Sequence, residues 1–275
     1  MNVRIWLTLA VFFVPHVLYA APLVLPETTD TLLIFHSREL SRKLVRQPWI
    51  IPQTVLFAGD SIMEGVGPVM ATMLANRTGL TFVQAGRSST GLCRPDFYDW
   101  PKAMRTYMRT NHPSVVVFCI GTNDDQSVTD AGARYHFDSP RWKQAYARKV
   151  EEIINIIAEN GAVSIWVSAP IMGSKAMRPR VHAIMEVIRQ TCENKNVTFV
   201  DVWGTLADGS GNYQYAALTP NGKRILLRAK DGVHVTSAGN KMLAKTVYSY
   251  VDKALTPNGH MEAPASIVKS GAANP

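Results

Sequence analysis

Residues 115–120, Val-Val-Val-Phe-Cys-Ile, form an unbroken apolar run that ends at Gly121-Thr122-Asn123-Asp124. A strand with no polar side has both faces covered, which is the situation of a central strand in a parallel sheet packed by helices on either side. Three more runs share this form. Thr54–Ala58 ends at Gly59-Asp60-Ser61, Thr81–Ala85 ends at Gly86, and Val163–Val167 ends at Ala169-Pro170. A shorter fifth run, Val197–Val200, is followed by Asp201.

Helical patterns alternate with these runs. The spacing predicts helices over Pro68–Arg77, Lys102–Asn111, Arg141–Asn160, Arg180–Asn194 and Ser237–Lys253. Pro68 suits the first turn of its helix, which would leave Ser61 to Gly67 as a glycine-containing loop. Strand and helix in alternation predict a three-layer α/β/α sandwich with a five-stranded parallel, flavodoxin-like sheet in the order 2-1-3-4-5. Tyr213–Ala217 and Arg224–Leu227 flank Pro220-Asn221-Gly222 and read as a small β-hairpin insertion. Residues 126–140 read as a polar connection.

The ends of the chain differ from its middle. Arg4 precedes an almost wholly apolar stretch, Ile5–Ala20, with small residues at Ala20-Ala21. Residues 1–20 therefore read as a secretory signal peptide, with an uncleaved anchor as the alternative. Residues 21–52 lead into a domain at 53–254, and 255–275, rich in Pro, Gly, Ala and Ser, read as a disordered tail. Export implies a periplasmic or secreted location and an oxidising compartment. Three cysteines permit one internal bridge at most. Cys119 reads as a buried small hydrophobe, and whether Cys93 and Cys192 pair is open.

No zinc-type spacing occurs among the cysteines and histidines, so no metal or other cofactor is expected. The net charge of +8 is dispersed and lacks a basic-aromatic motif, which argues against nucleic acid as a partner. Contact with an anionic envelope surface is compatible with that charge.

In the predicted sheet order the first strand lies between the second and third. The loops 59–61, 86–91 and 121–124 should then meet at the carboxyl edge, where open parallel sheets bind ligands. Acyl transfer needs a nucleophile, a base, an orienting acid and donors for an oxyanion. Ser61 is the candidate nucleophile, His234 the base, and Asp231, three residues before it, the acid that fixes its tautomer. The donors would be the N–H of Ser61, an N–H of the second loop, and the Asn123 amide. Asp60 reads as a structural residue that bonds nearby loop N–H groups. Asp201 is a second candidate for the orienting acid.

The blocks GDS at 59–61, GRSSTG at 86–91, GTND at 121–124 and DGVH at 231–234 resemble, in order, those of the SGNH (GDSL-like) hydrolase family. The stretches GDSIMEGVGP and STGLCRPDFYDWP are similar to a periplasmic branch of it. The resemblance implies a metal-independent serine esterase or acyltransferase with Ser61, Asp231 and His234 as catalytic triad and Asn123 as oxyanion donor. Family members carry two glycines three apart in the second block. Here Gly86 matches the first and Ser89 stands at the second, so Ser89, Gly86 or Gly91 supplies the backbone donor.

Arg87 and Arg94 flank this loop and suit carboxylate recognition, and Phe97, Tyr98 and Trp100 offer an aromatic wall for a sugar or acyl group. The expected substrate is an O-acylated carbohydrate, O-acetylated in particular, or another ester. Transfer to a sugar with the same triad, a lipid esterase or thioesterase, and a non-catalytic envelope-binding module are the alternatives.

Overall fold

The structure is a computed structural model that describes residues 52–256. The predicted leader, most of the segment after it and nearly all of the predicted tail lie outside the described residues.

Five strands, β1 (Gln53–Gly59), β2 (Leu80–Gly86), β3 (Val115–Cys119), β6 (Val163–Val167) and β7 (Thr198–Val200), form a sheet in the order β2-β1-β3-β6-β7. Every pairing in it is parallel. Counting sheet strands alone, this is the predicted order 2-1-3-4-5. Alternation along β1 explains the three layers. Leu56 and Ala58 face a core shared with α2 (Trp100–Asn111), α3 (Pro140–Glu159) and α4 (Met177–Asn194). Val55 and Phe57 face the opposite core, closed by α1 (Ser61–Leu74) and α5 (Ser237–Ala254). All five residues of β3 are buried, as an apolar run in the sheet centre requires. Among the described residues no helix is long and apolar enough to cross a membrane.

Two small hairpins sit outside the sheet. One pairs β8 (Ala216–Leu218) with β9 (Arg224–Leu226), at the predicted insertion. The other pairs β4 (Val128–Asp130) with β5 (Ala133–Tyr135), where the sequence suggested only a connection. Its strands of three residues are too short to display an alternating pattern.

The start of α1 differs from expectation. The helix opens at Ser61, directly after β1, and Pro68 lies inside it. Asp60 supplies the N-cap, its side chain accepting from the Ile62 N–H at 3.0 Å. The glycines that suggested a loop mark close approaches instead. A Cβ on Gly65 would stand 2.6 Å from Asn240 Nδ2 of α5, and one on Gly67 would stand 3.0 Å from Phe57 Cβ of β1. Those residues let α1 lie tight against its neighbours.

The turn from β1 into α1 is pressed on β3. Gly59 has φ +142°, and a Cβ there would fall 1.8 Å from the Cys119 carbonyl oxygen. By contrast Gly161, φ +71°, has nothing within 4 Å of an added Cβ. Gly59→Ala is therefore expected to cost more than about 4 kcal/mol and to leave little folded protein. Gly161→Ala should cost about 1 kcal/mol, the left-handed penalty alone. Urea unfolding of the two variants measures the contrast.

Candidate active site

Ser61 stands at the first position of α1, at the carboxyl end of β1. The N–H groups of a first helical turn have no intrahelical acceptor, so they and the helix dipole face whatever lies beside the serine. Asp60 fixes this turn to the sheet. One carboxylate oxygen takes the Ile62 N–H; the other takes the Thr122 N–H at 3.1 Å and the Thr122 hydroxyl at 2.7 Å. The group is fully buried. Burial pushes its carboxyl up to about 6, against the lowering effect of the hydrogen bonds from Thr122 and Ile62. The structural role read from the sequence matches these contacts.

A second buried carboxylate binds the next loop. Asp124 accepts the N–H of Leu92 at 3.0 Å and of Cys93 at 2.7 Å, and the Tyr146 hydroxyl at 2.8 Å. Burial raises its carboxyl too, opposed by those donors. Gly91 packs so closely that a Cβ would stand 2.3 Å from Asp124 Oδ1. Asn123 donates from Nδ2 to the Thr90 carbonyl at 2.9 Å. The loops 59–61, 86–91 and 121–124 are thus stitched into one edge.

His234 approaches from the loop before α5. Its Nε2 lies 3.1 Å from Ser61 Oγ, and its Nδ1 lies 2.7 Å from Asp231 Oδ2. The other Asp231 oxygen accepts the N–H of Val233 at 2.8 Å and of His234 at 2.9 Å. Partial burial acts to raise the Asp231 carboxyl, but the His234 ring and these N–H groups together outweigh it and hold the group down at about 2. Asp231 is therefore a carboxylate at any ordinary pH. An Nδ1–H held by it leaves the Nε2 lone pair facing the serine, the tautomer that can accept its proton. Asp201 is engaged elsewhere, with the Ser168 hydroxyl and the Trp203 N–H, and makes no bond to His234.

The possible oxyanion donors fall as follows. The Ser61 N–H opens α1, and the Asn123 amide is on the adjoining loop. Ser89 has φ +63°, the left-handed backbone that glycine adopts at no cost. Its N–H makes no hydrogen bond to protein among the described residues. Gly86 ends β2, where a Cβ would stand 2.4 Å from Glu64 Cα of α1. Ser88 donates to Glu64 and pins the loop to the same helix turn.

The flanking arginines are placed differently from each other. Arg87 is exposed and its guanidinium lies 4.5 Å from the centre of the Tyr98 ring. Arg94 forks onto Asp96, with Nε and Nη2 donating at 2.9 and 2.7 Å. The three aromatics do not form one wall. Trp100 is buried, packed against Tyr98 and Phe118, and lines no surface. Phe97 is 56 % exposed. Cys93 and Cys192 do not pair; they and Cys119 are buried free thiols. Among the described residues no cluster of metal-ligating side chains occurs.

Two residues outside the sequence-predicted set also hold the site: Thr122, which binds Asp60, and Arg228, which donates to the carbonyls of the loop carrying Asp231 and His234. Thr122 had a signal, since it adjoins Asn123. Arg228 had none.

The fold is shared with known proteins. The family model described as "Protein of unknown function (DUF459)" matches residues 54–250. A lipase/acylhydrolase from Enterococcus faecalis is similar in structure, with TM-score 0.54 at 17% identity, covering 75% of this chain and 98% of that one. A GDSL-like lipase from Bacteroides thetaiotaomicron gives TM-score 0.51 at 20% identity, covering 80% and 98%. An alpha/beta hydrolase enzyme from the metagenome of Lake Arreo gives 0.54 at 18%, covering 73% and 95%. No curated protein sequence matches significantly.

The Asp60 carboxyl gives a pH signature. Its folded value, about 6, lies above the ordinary 3.8, so the folded state holds the proton more tightly than the unfolded chain. Its contribution to stability is complete below the unfolded value and is lost as pH rises through the folded one, a change of about 3 kcal/mol. Asp60→Asn has no such titration. The stability difference, wild type minus variant, should therefore fall between pH 4 and pH 7, as read by urea midpoints at each pH.

Proposed function

The chain belongs to the DUF459 family and has an SGNH-type fold, and from that premise we propose that it is a serine ester hydrolase. The observation that carries this reading is the continuous contact from Ser61 Oγ through the His234 ring to Asp231, at 3.1 and 2.7 Å. His234 Nε2 takes the Ser61 proton as Oγ attacks the ester carbonyl. The carbonyl oxygen becomes an oxyanion that the N–H groups of Ser61 and Ser89 and the Asn123 amide receive. Collapse breaks the ester bond. The leaving alkoxide takes the proton from His234, and the acyl group stays on Ser61. Water, deprotonated by His234, then releases the acid and restores Ser61. Asp231 stabilises the imidazolium formed in each half-reaction.

The substrate class proposed is an O-acyl ester, O-acetyl in particular, on an envelope glycan. Support comes from the apolar leader read in residues 1–20 and from the openness of the site, where the His234 side chain is 52% exposed. An exposed site admits a polymer, and a small acyl group needs no deep pocket. The exposed Arg87, held over Tyr98, is suited to a carboxylate on such a glycan.

Labelling by a serine-directed organophosphonate tests the chemistry, read by mass spectrometry of the Ser61 peptide, together with turnover of a small acetyl ester. Ser61→Ala and His234→Ala should each abolish turnover without unfolding the protein. Asn123→Ala should lower kcat by about 10²–10³. Wild-type protein that neither labels nor turns over would end this reading. Arg87→Lys should raise KM for an acidic O-acetylated glycan and leave kcat on the small ester unchanged. An effect on stability alone would remove Arg87 from the substrate site.

A further inference from the structure

The two halves of the candidate triad are held by unequal means. Ser61 is fixed by a strand, a helix and a buried cap. Asp231 and His234 sit on a loop between β9 and α5, with Gly232 at φ +70°. Loops of this kind are the mobile parts of a fold unless something ties down their backbone. Chemistry at Ser61 depends on where the imidazole stands, and an error of about 1 Å can cost about 10²-fold in rate.

Arg228 lies on the same loop, just after β9, and its side chain is fully buried. Nη1 donates to the Ile171 carbonyl at 2.6 Å. Nη2 donates to the carbonyls of Gly232 and Val233 at 3.2 and 2.8 Å, and Nε faces that of His234 at 3.4 Å. The guanidinium lies 5.2 Å from the centre of the Tyr213 ring. Every hydrogen-bond acceptor is a main-chain oxygen, and among the described residues Arg228 forms no ion pair. A cation buried this way is costly to desolvate, and burial pushes its pKa down. A core-filling role would be met more cheaply by an apolar side chain.

The acceptors share one feature. Three are consecutive residues of the loop that ends in His234, and the fourth belongs to the segment following β6. That segment also meets the loop through the Gly173 N–H, which donates to the Gly232 carbonyl at 2.8 Å. The planar fork of one guanidinium thus references the loop to the sheet edge. A lysine ammonium, with its three donors on a single nitrogen at the end of a flexible stem, cannot span the same acceptors.

We propose that Arg228 is a positioning residue, which sets the distance between His234 and Ser61 by clamping the carbonyls of 232–234 to that of Ile171. This rests on the acyl-serine reading above. The test is the rate of Ser61 phosphonylation by the organophosphonate probe, followed by mass spectrometry in wild type, Arg228→Ala and Arg228→Lys. Steady-state turnover of a small acetyl ester and urea unfolding accompany it.

In Arg228→Ala, phosphonylation and kcat should both fall by about 10²-fold while KM stays within about twofold. Guanidinium at millimolar levels, far below denaturing concentrations, should restore much of the rate by occupying the vacated clamp. If Arg228→Ala does not fold, Arg228→Lys carries the test, with slowed phosphonylation and unchanged KM expected. A wild-type rate in either folded variant overturns the proposal. So does a rate loss in folded Arg228→Ala that guanidinium leaves unrestored. Failure of the acyl-serine reading looks different, because wild-type Ser61 would then itself be unreactive to the probe.

Discussion

The Asp60 carboxylate joins the start of α1 to the end of β3, and the site is built outward from that joint. Its two oxygens serve three donors on two elements. Ser61 follows it directly in the chain, so the direction of the serine side chain is set by a group with no freedom of its own. Gly59 lets the preceding backbone lie against Cys119, and the Asp60 N–H donates to the Cys119 carbonyl at 2.9 Å. A larger residue at 59 would force β1 from β3 and spoil the hydrogen bonds at Thr122. Asp124 repeats the device one strand further on, tying the third loop to the second. Among the described residues neither buried carboxylate has a cation partner, so each is stabilised by donors alone, an arrangement that needs every donor in place.

Electrostatics divide the acids of the site into two kinds. Asp60 and Asp124 are raised by burial and hold structure. Asp231, near solvent and served by three donors, is lowered and stays charged. Only the latter is suited to face an imidazole that gains and loses a proton. The contrast follows from burial, since all three residues are aspartates in short polar turns and each accepts from three donors.

Much of the architecture could be read from the chain because its central strands are continuous apolar runs. Val115–Cys119 and Val163–Val167 are strands over the residues the pattern marks, give or take one. The start of α1 could not be read that way. Gly65, Gly67 and Pro68 are loop residues by local preference, and tertiary packing against Asn240 and Phe57 overrides it. The hairpin of Val128–Asp130 and Ala133–Tyr135 is too short to carry a period. Ser61, Asp231, His234 and Asn123 were visible because each sits in a short motif at a strand end or before a helix. Arg228 was invisible because its acceptors are carbonyls, which every residue has. Trp100 misled for a simple reason: an aromatic among turn residues looks exposed, yet its ring fills the core beside Phe118.

The three cysteines carry a consequence for where such a domain can work. Each thiol is buried, and desolvation pushes each well above the range in which thiolate forms. Oxidants and exchange partners act on thiolate, so the folded domain is indifferent to the redox poise around it. Maturation then calls for no oxidoreductase, and a reducing medium should find nothing here to unpick.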